Sequence, residues 1–367
     1  MNDLNNIEVL KATSTRSYLK KADMHERAGR LVDALSLLNK ERSFGENSGL
    51  DKIYEMNKNR VIMKIRRQAR DFYATLQPKP IFECKNNPRL YADQNKDHNQ
   101  SLPPLISFTT ISSRIDRIEK TVSSLAKQTS KVHSINLYIS SEPYLIDEGI
   151  RPDNPILKGI AAMGVNIYQV PNIGPYRKQI PLIIQLNSAA ASPRTPFITI
   201  DDDVIYPSDI IERLITALET SEAVIAHRGR EIRFDSGKLC AYKSFPPPSE
   251  RSSFSNIGTG KNGIAYRLGY FPTNPLDFVG HIIAPTADDI WCKWAISAYC
   301  IPTMILEPAA AYDPAFDFAE SEPLNKNGLF HKYNAKGTND DAMQNMESFY
   351  ASRGIGLAAM LVGVVND

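Results

Sequence analysis

The sequence predicts an α/β protein whose largely parallel sheet is flanked by helices and preceded by an N-terminal helical extension. Three observations carry that prediction. From residue 105, short β-branched runs alternate with segments of helical period in the order β-α-β-α-β-α-β, the pattern of a parallel sheet covered on both sides. The run Phe197 to Ile200 is continuous rather than alternating and ends on Asp201, Asp202 and Asp203, as a strand buried on both faces would. Residues 1–76 instead show apolar positions at helical spacing. The chain therefore divides into a helical subdomain at 1–76, a linker at 77–104 and the α/β domain at 105–367.

A length of 367 residues suffices for one large α/β domain and a smaller one. A hydrophobic share of 42% with 23% charged residues is that of a soluble globular chain. The net charge of +2 is uneven: residues 1–100 hold 19 Lys and Arg against 13 Asp and Glu, which leaves −4 for the rest. Cys84, Cys240, Cys292 and Cys300 are scattered and form no CxxC pair. That argues for a reducing compartment and against a zinc site or a disulfide framework. No apolar segment of the signal-peptide kind follows the N-terminus. The longest apolar run, Gly356 to Val365, is too short to span a bilayer. The expectation is a cytoplasmic protein, with at most peripheral contact at the inner face of the membrane, and no nucleic-acid partner.

Ala22 to Lys40 places Ala28, Leu31, Ala34, Leu35, Leu37 and Leu38 at helical spacing, and the segment is similar to one tetratricopeptide-like helix pair. A single unit has no neighbour on which to stack. After a break at Gly45–Gly49, a second helix is expected over 50–76. Its stretch Lys58 to Arg70 carries Lys58, Arg60, Lys64, Arg66, Arg67 and Arg70 with no acidic residue. Three readings stay open for it: an anionic membrane surface, a solvated face, or packing on acidic parts of the main domain. The proline- and asparagine-rich stretch 77–104 reads as a linker.

Leu105 to Ile111 is the first expected strand of the main domain. Ser112 and Ser113 are candidate caps for a helix over 114–128, whose Ile115, Ile118, Val122 and Leu125 share one face. Strands follow at 135–139 and 165–170, with a helix at 155–163 between them. The loop Pro171 to Lys178, a helix over 179–190, the strand into the aspartates, a helix to Glu219 and a strand at 223–226 complete the series.

Ligands in such sheets bind where the carboxyl ends of the strands emerge. Three adjacent carboxylates repel one another, and a divalent cation relieves the repulsion. Mg²⁺ or Mn²⁺ prefers one or two carboxylates plus phosphate oxygens and water. The competing reading is a strand-end turn whose aspartates cap backbone amides. Arg177 and Lys178, on a glycine-containing loop, suit a phosphate or form an exposed charge pair. Asp288 and Asp289 are either a functional acidic pair or an N-cap for the segment from Ile290 to Trp294. Gly258 to Gly263 lacks P-loop spacing. Asn339, Asp340 and Asp341 read as caps of a helix over 342–350.

Taken in order, Thr109-Thr110 on the opening strand, Gly174-Pro-Tyr-Arg-Lys178, Asp201-Asp-Asp203 and Ala287-Asp-Asp-Ile-Trp291 resemble the GT-A class of nucleotide-sugar glycosyltransferases. The likeness is to bacterial family-2-like enzymes of surface-polysaccharide synthesis. It covers about residues 105 to 345 and leaves out the N-terminal helices. It implies a GT-A-like, Rossmann-like sheet and Mn²⁺ or Mg²⁺ on Asp201 and Asp203, with Asp202 near the ribose or donor sugar. It further implies that Thr109, Thr110 and Arg114 face the nucleotide. The catalytic base falls on Asp289 or Asp288, with Asp289 preferred. Related enzymes sometimes offer a third metal ligand from a late loop, which here is His331. The implied donor is a nucleotide sugar, a UDP-sugar first, and the acceptor a glycan or glycolipid.

The chemistry agrees: glycosyl transfer needs a cation on the leaving diphosphate, a carboxylate for the acceptor proton and basic groups for phosphate. A single displacement inverts the anomeric centre. Two rivals remain. The apolar strand before Asp-x-Asp also resembles the first motif of haloacid-dehalogenase-type phosphatases, with Asp201 as nucleophile and Asp203 as acid/base. That motif sits on the first strand of its core, whereas three strands precede it here. The other rival is a helical-repeat adaptor with an inactive α/β domain.

Overall fold

The computed structural model describes residues 18–27, 29–40, 49–84, 88, 103–236, 238–274, 277–311 and 337–364. The chain is an α/β protein built on one nine-stranded sheet of order β1-β4-β3-β2-β5-β12-β6-β13-β10. Its strands are β1 (Lys79–Phe82), β2 (Leu105–Thr109), β3 (Ser134–Ile139), β4 (Val165–Gln169), β5 (Pro196–Thr199), β6 (Val224–Ala226), β10 (Ser252–Ser253), β12 (Ile264–Arg267) and β13 (Thr303–Ile305). The strands β2 to β6 and β13 run one way, and β1, β10 and β12 run the other. Short antiparallel pairs join β7 (Gly229–Glu231) to β11 (Asn256–Gly258), and β8 (Phe234–Asp235) to β9 (Lys238–Leu239).

The central strands are buried along their length. In β3 all six residues are buried, and in β5 all four, which is why their sequences run apolar without alternation. The buried amides of β3 and β4 are satisfied across the sheet. Asn136 donates to Ile106 O at 3.0 Å, Asn166 donates to Asn136 Oδ1 at 3.0 Å, and Asn166 Oδ1 accepts from Cys84 N at 2.6 Å. That chain crosses β2, β3 and β4 to the residue Cys84 that follows β1, so neither buried amide is left without a partner.

Helices flank the sheet: α1 (Leu31–Lys40), α2 (Gly49–Tyr73), α3 (Ile118–Leu125), α4 (Pro155–Ala162), α5 (Ile180–Ser188), α6 (Ile210–Glu219), α7 (Gly280–Ile283), α8 (Asp288–Ser297), α9 (Thr338–Ala351) and α10 (Leu357–Val364). The expected helix over 22–40 is broken. Residues 18–27 are helical, and Gly29 at φ +76° turns the chain before α1 begins. Neither Ser112 nor Ser113 caps: Ser112 Oγ accepts from Glu148 N at 2.9 Å, and a 3₁₀ turn, Ile115–Arg117, precedes α3. The stretch 77–104 is more than a connection, since β1 pairs antiparallel with β4.

The N-terminal helices share one core with the sheet. Asn345 on α9 accepts from Asn39 at 2.9 Å and donates to Ser36 at 3.1 Å. Tyr73 Oη lies 2.7 Å from His281 Nδ1. Much of the basic run on α2 is used inside the molecule: Arg60 and Lys64 pair with Glu26 at 2.8 and 2.7 Å, Arg66 with Asp277 at 3.4 Å, and Arg70 with Asp71 at 2.6 Å. Lys58 is buried. One of these pairs, Arg66 with Asp277, reaches the main domain, as the packing reading expects. Among the described residues, no helix is long and apolar enough to cross a membrane.

Candidate active site

Chain order and spatial order part company at β2. The connection from β2 leads to β3 on one side, and the connection from β4 returns to β5 on the other. The carboxyl ends of β2 and β5 therefore frame the crevice where open α/β sheets hold ligands. Thr109 and Thr110 leave β2 there, and Asp201, Asp202 and Asp203 leave β5. A cavity of about 590 Å³ opens beside them. The 3₁₀ turn Gly174–Lys178, the N-terminus of α8 and the loop between β11 and β12 supply its other walls.

Six aspartates line the cavity, and the five of the two acidic runs are not equivalent. Asp201 Oδ1 accepts from Lys178 Nζ at 2.9 Å, and the same ammonium lies 3.1 Å from Asp288 Oδ2. Gln179 donates a second bond to that Asp288 oxygen at 2.6 Å. Asp202 accepts from Thr110 Oγ1 at 2.6 Å and lies 3.0 Å from Arg114 Nη1. Arg114 Nη1 also reaches Asp203 Oδ2 at 2.9 Å. Asp289 has no cation against it in this set. Its Oδ2 accepts from Gly260 N at 2.9 Å, and its buried Oδ1 has no hydrogen-bond partner. Gly260 also sits close to the ion cluster, where a Cβ would lie 2.9 Å from Lys178 Nζ.

These differences set the charges. Burial opposes ionisation of Asp201, but Lys178 and Arg114 outweigh it and hold the carboxyl below its usual range. Burial lifts Asp202 to about 6, with Arg114 pulling the other way. Burial, then repulsion from Asp288, lifts Asp289 to about 7 against the pull of Lys178. Lys178 loses by burial and gains more from Asp201, Asp288 and Asp289, so it stays charged well above neutral pH. The site thus holds an ion cluster and two carboxyls displaced toward neutrality, Asp202 against Arg114 and Asp289 with no ion-pair partner among the described residues.

The structure brings Thr109, Thr110, Arg114, Arg177, Lys178, Asp201, Asp202, Asp203, Asp288 and Asp289 to one cavity. Thr109 Oγ1 is turned to the backbone, donating to Tyr138 O at 2.8 Å. Arg177 and Lys178 are buried rather than an exposed loop pair. Arg177 reaches Asp147 Oδ2 at 2.8 Å and Thr110 O at 3.1 Å, which ties the 3₁₀ turn to the end of β2. Asp288 and Asp289 lie in the first turn of α8, which has Ala287 at its N-cap and no side-chain cap. His331 lies outside the described residues.

Several further residues line the cavity. Asp147 comes from the loop after β3, Tyr242 from the excursion after β9, and Arg228 and Arg230 from either side of the start of β7. The Arg230 guanidinium stands 5.5 Å from the centre of the Tyr242 ring. Asn339 is also at the cavity, although its stretch reads as a helix cap. Gly337 is the N-cap of α9 and no side-chain cap forms; Asp340 instead accepts from Tyr242 N at 2.7 Å. Only the basic pair Arg228 and Arg230, close behind a strand, could have suggested a ligand from sequence.

Among the described residues, no three His, Cys, Asp or Glu side chains form a ligand set from protein alone. Mg²⁺ and Mn²⁺ bound with a diphosphate do not require one, because one or two carboxylates suffice. Asp201 and Asp203 meet that need. Their side chains are 32% and 33% exposed, and both line the cavity. The donor set is all oxygen, as a hard cation prefers.

No protein-family model matches the chain, and no curated protein matches it in sequence. Solved structures do resemble it. A 4-diphosphocytidyl-2C-methyl-D-erythritol synthase is 11% identical, with 62% of this chain and 97% of the other covered and a TM-score of 0.36. S. aureus TarS 1–349 is 12% identical, with 70% and 88% covered and a TM-score of 0.30. The mannosyltransferase PcManGT from Pyrobaculum calidifontis, in complex with GDP-Man and Mn²⁺, is 12% identical, with 83% and 89% covered and a TM-score of 0.33. Similarity at this level does not extend to function, so the reading of the site rests on its own residues.

Proposed function

We propose that the chain is a glycosyltransferase that moves a sugar from a nucleotide diphosphate, a UDP-sugar first, to a hydroxyl of a glycan or glycolipid, with inversion. The observation that supports this most is the placing of Asp289. It faces the aspartates of β5 across the switch-point cavity and holds its proton to about pH 7, as a general base for a hydroxyl should.

Thr110 and Arg114 frame the nucleotide side, held there by Asp202. Mn²⁺ or Mg²⁺ on Asp201 and Asp203 supplies, when bound, the positive charge that a departing diphosphate needs. Arg228, Arg230 and Lys261 line the cavity and add a basic wall toward that charge. Lys178 holds Asp201 and Asp288 in place. Asp289 takes the proton of the acceptor hydroxyl as its oxygen attacks the anomeric carbon from the face opposite the diphosphate.

Calorimetric titration with UDP, GDP, CMP and dTDP, each with Mn²⁺ and with EDTA, tests the reading. Metal-dependent binding of one nucleoside diphosphate is expected. No binding of any of them, together with phosphate release from a generic phosphomonoester, refutes it in favour of phosphatase chemistry.

A further inference from the structure

Asp289 also lines a second, much smaller cavity of about 20 Å³, in which Lys293 and Thr303 are the other polar residues beside Tyr266 and Cys292, and Val224, Ile264 and Ile296 the aliphatic ones. Asp289 and Lys293 are four residues apart on α8, so their side chains share one face of the helix. Lys293 is 5% exposed, and its Nζ has no hydrogen-bond partner. Asp289 Oδ1 is likewise buried and without a partner. A buried ammonium and a buried carboxylate oxygen, each left unpaired, are costly alone. Both residues line this space, which is large enough for one water, and a buried water needs polar partners of this kind.

We propose that Lys293 is a positioning residue for Asp289: through one water held in the small cavity it donates to Oδ1, while Oδ2 accepts from the Gly260 amide. The consequence for catalysis rests on the glycosyl-transfer reading; the pairing does not. Burial also lowers Lys293 to about 7, which keeps its proton mobile in the range where Asp289 changes charge. The other groups that face the pair are Lys178, Asp201 and Asp288, which are held in the ion cluster, and Tyr266 and Cys292, which burial pushes well above neutral.

Lys293→Met removes the donor while nearly keeping the volume. With the nucleoside diphosphate and Mn²⁺ selected by the calorimetric titration, affinity is expected to stay within about twofold. KM stays level, kcat falls roughly tenfold, and the acid limb of the kcat profile moves to higher pH. Lys293→Gln keeps N–H donors and recovers part of the loss. An unchanged kcat and pH profile in a folded Lys293→Met protein overturns the proposal. A crystal structure of the unaltered protein decides it without activity. A water within hydrogen-bond distance of both Lys293 Nζ and Asp289 Oδ1 supports the pairing, and a dry cavity, or Nζ bonded elsewhere, overturns it even if the Met variant does not fold. If the water is present but the unaltered protein transfers no sugar, the pairing stands and the glycosyl-transfer reading fails.

Discussion

Replacing Asp289 by Asn is expected to make the protein more stable at pH 8 while ending transfer. The carboxyl is buried, repelled by Asp288, and lifted from its usual 3.8 to about 7. A carboxyl displaced upward weakens the fold as it ionises. The weakening begins as pH passes about 4 and is complete once pH exceeds about 7. A displacement of that size corresponds to roughly 4 kcal/mol at high pH. The charge is shared with Lys178 and Asp288, so about 2 kcal/mol is a fair expectation for the single substitution. Asn keeps the shape and an oxygen for the Gly260 amide, so the gain reflects the charge alone. Urea denaturation of both proteins in EDTA, at pH 4 and pH 8, measures it. The expected result is little difference at pH 4 and a higher midpoint for the variant at pH 8, with nucleoside diphosphate binding retained. Equal midpoints at both pH values would show that Asp289 ionises freely, and the reasoning that makes it the base would then fall.

Three further outcomes follow from the same geometry. Asp203→Asn should keep the fold and lose metal-dependent donor binding in calorimetry; unchanged affinity would remove Asp203 from the cation site. Lys178→Met removes the cation that Asp201 and Asp288 share, and should cost about 3 kcal/mol in urea denaturation at pH 8; an unchanged midpoint would show that the cluster does not depend on it. Gly280→Ala places a Cβ 2.4 Å from Tyr176 Cε1 and 2.5 Å from Trp291 Cγ. It should cost about 2–3 kcal/mol, read as a drop in Tm, and a variant as stable as the parent would show that α7 can shift away from α8.

The parallel half of the sheet was legible because a strand buried on both faces leaves a mark in its own residues. Ile135, Val165 and Phe197 each sit in such a run, and β2, β3, β4 and β5 appear where those runs predict them. The reversed strand β12 was not legible. Ile264 to Arg267 is four residues long, and nothing in so short a run tells a parallel partner from an antiparallel one; the choice is made by β5 and β6 on either side. The strand β1 hid in a proline-rich stretch because an edge strand tolerates Pro80. At the site, Asp201 to Asp203 and Asp288 to Asp289 stood out as runs of like charge. Asp147 did not, for it is a single aspartate whose only distinction is that the fold sets Arg177 against it.

Three adjacent aspartates at a strand end raise the question of what keeps them from unfolding the strand, and the counterions give the answer. Each cation comes from a different element: Arg114 from the turn after β2, and Lys178 from the turn before α5. Neither element can move without exposing a carboxylate, so the repulsion that burdens the triplet also locks the walls of the cavity to β5. The cations are not spread evenly. Asp202 is covered on both oxygens, by Thr110 and Arg114, and Asp288 is held on Oδ2 alone, by both Lys178 and Gln179. Asp201 and Asp203 each give an oxygen to a cation and keep about a third of their surface at the cavity. Asp289 receives only a backbone amide on the cavity side. A chain that needed these carboxylates for structure alone would have paired the last as well as the first. The uneven pairing instead separates two that hold the site together, two open to a cation, and one left able to take a proton.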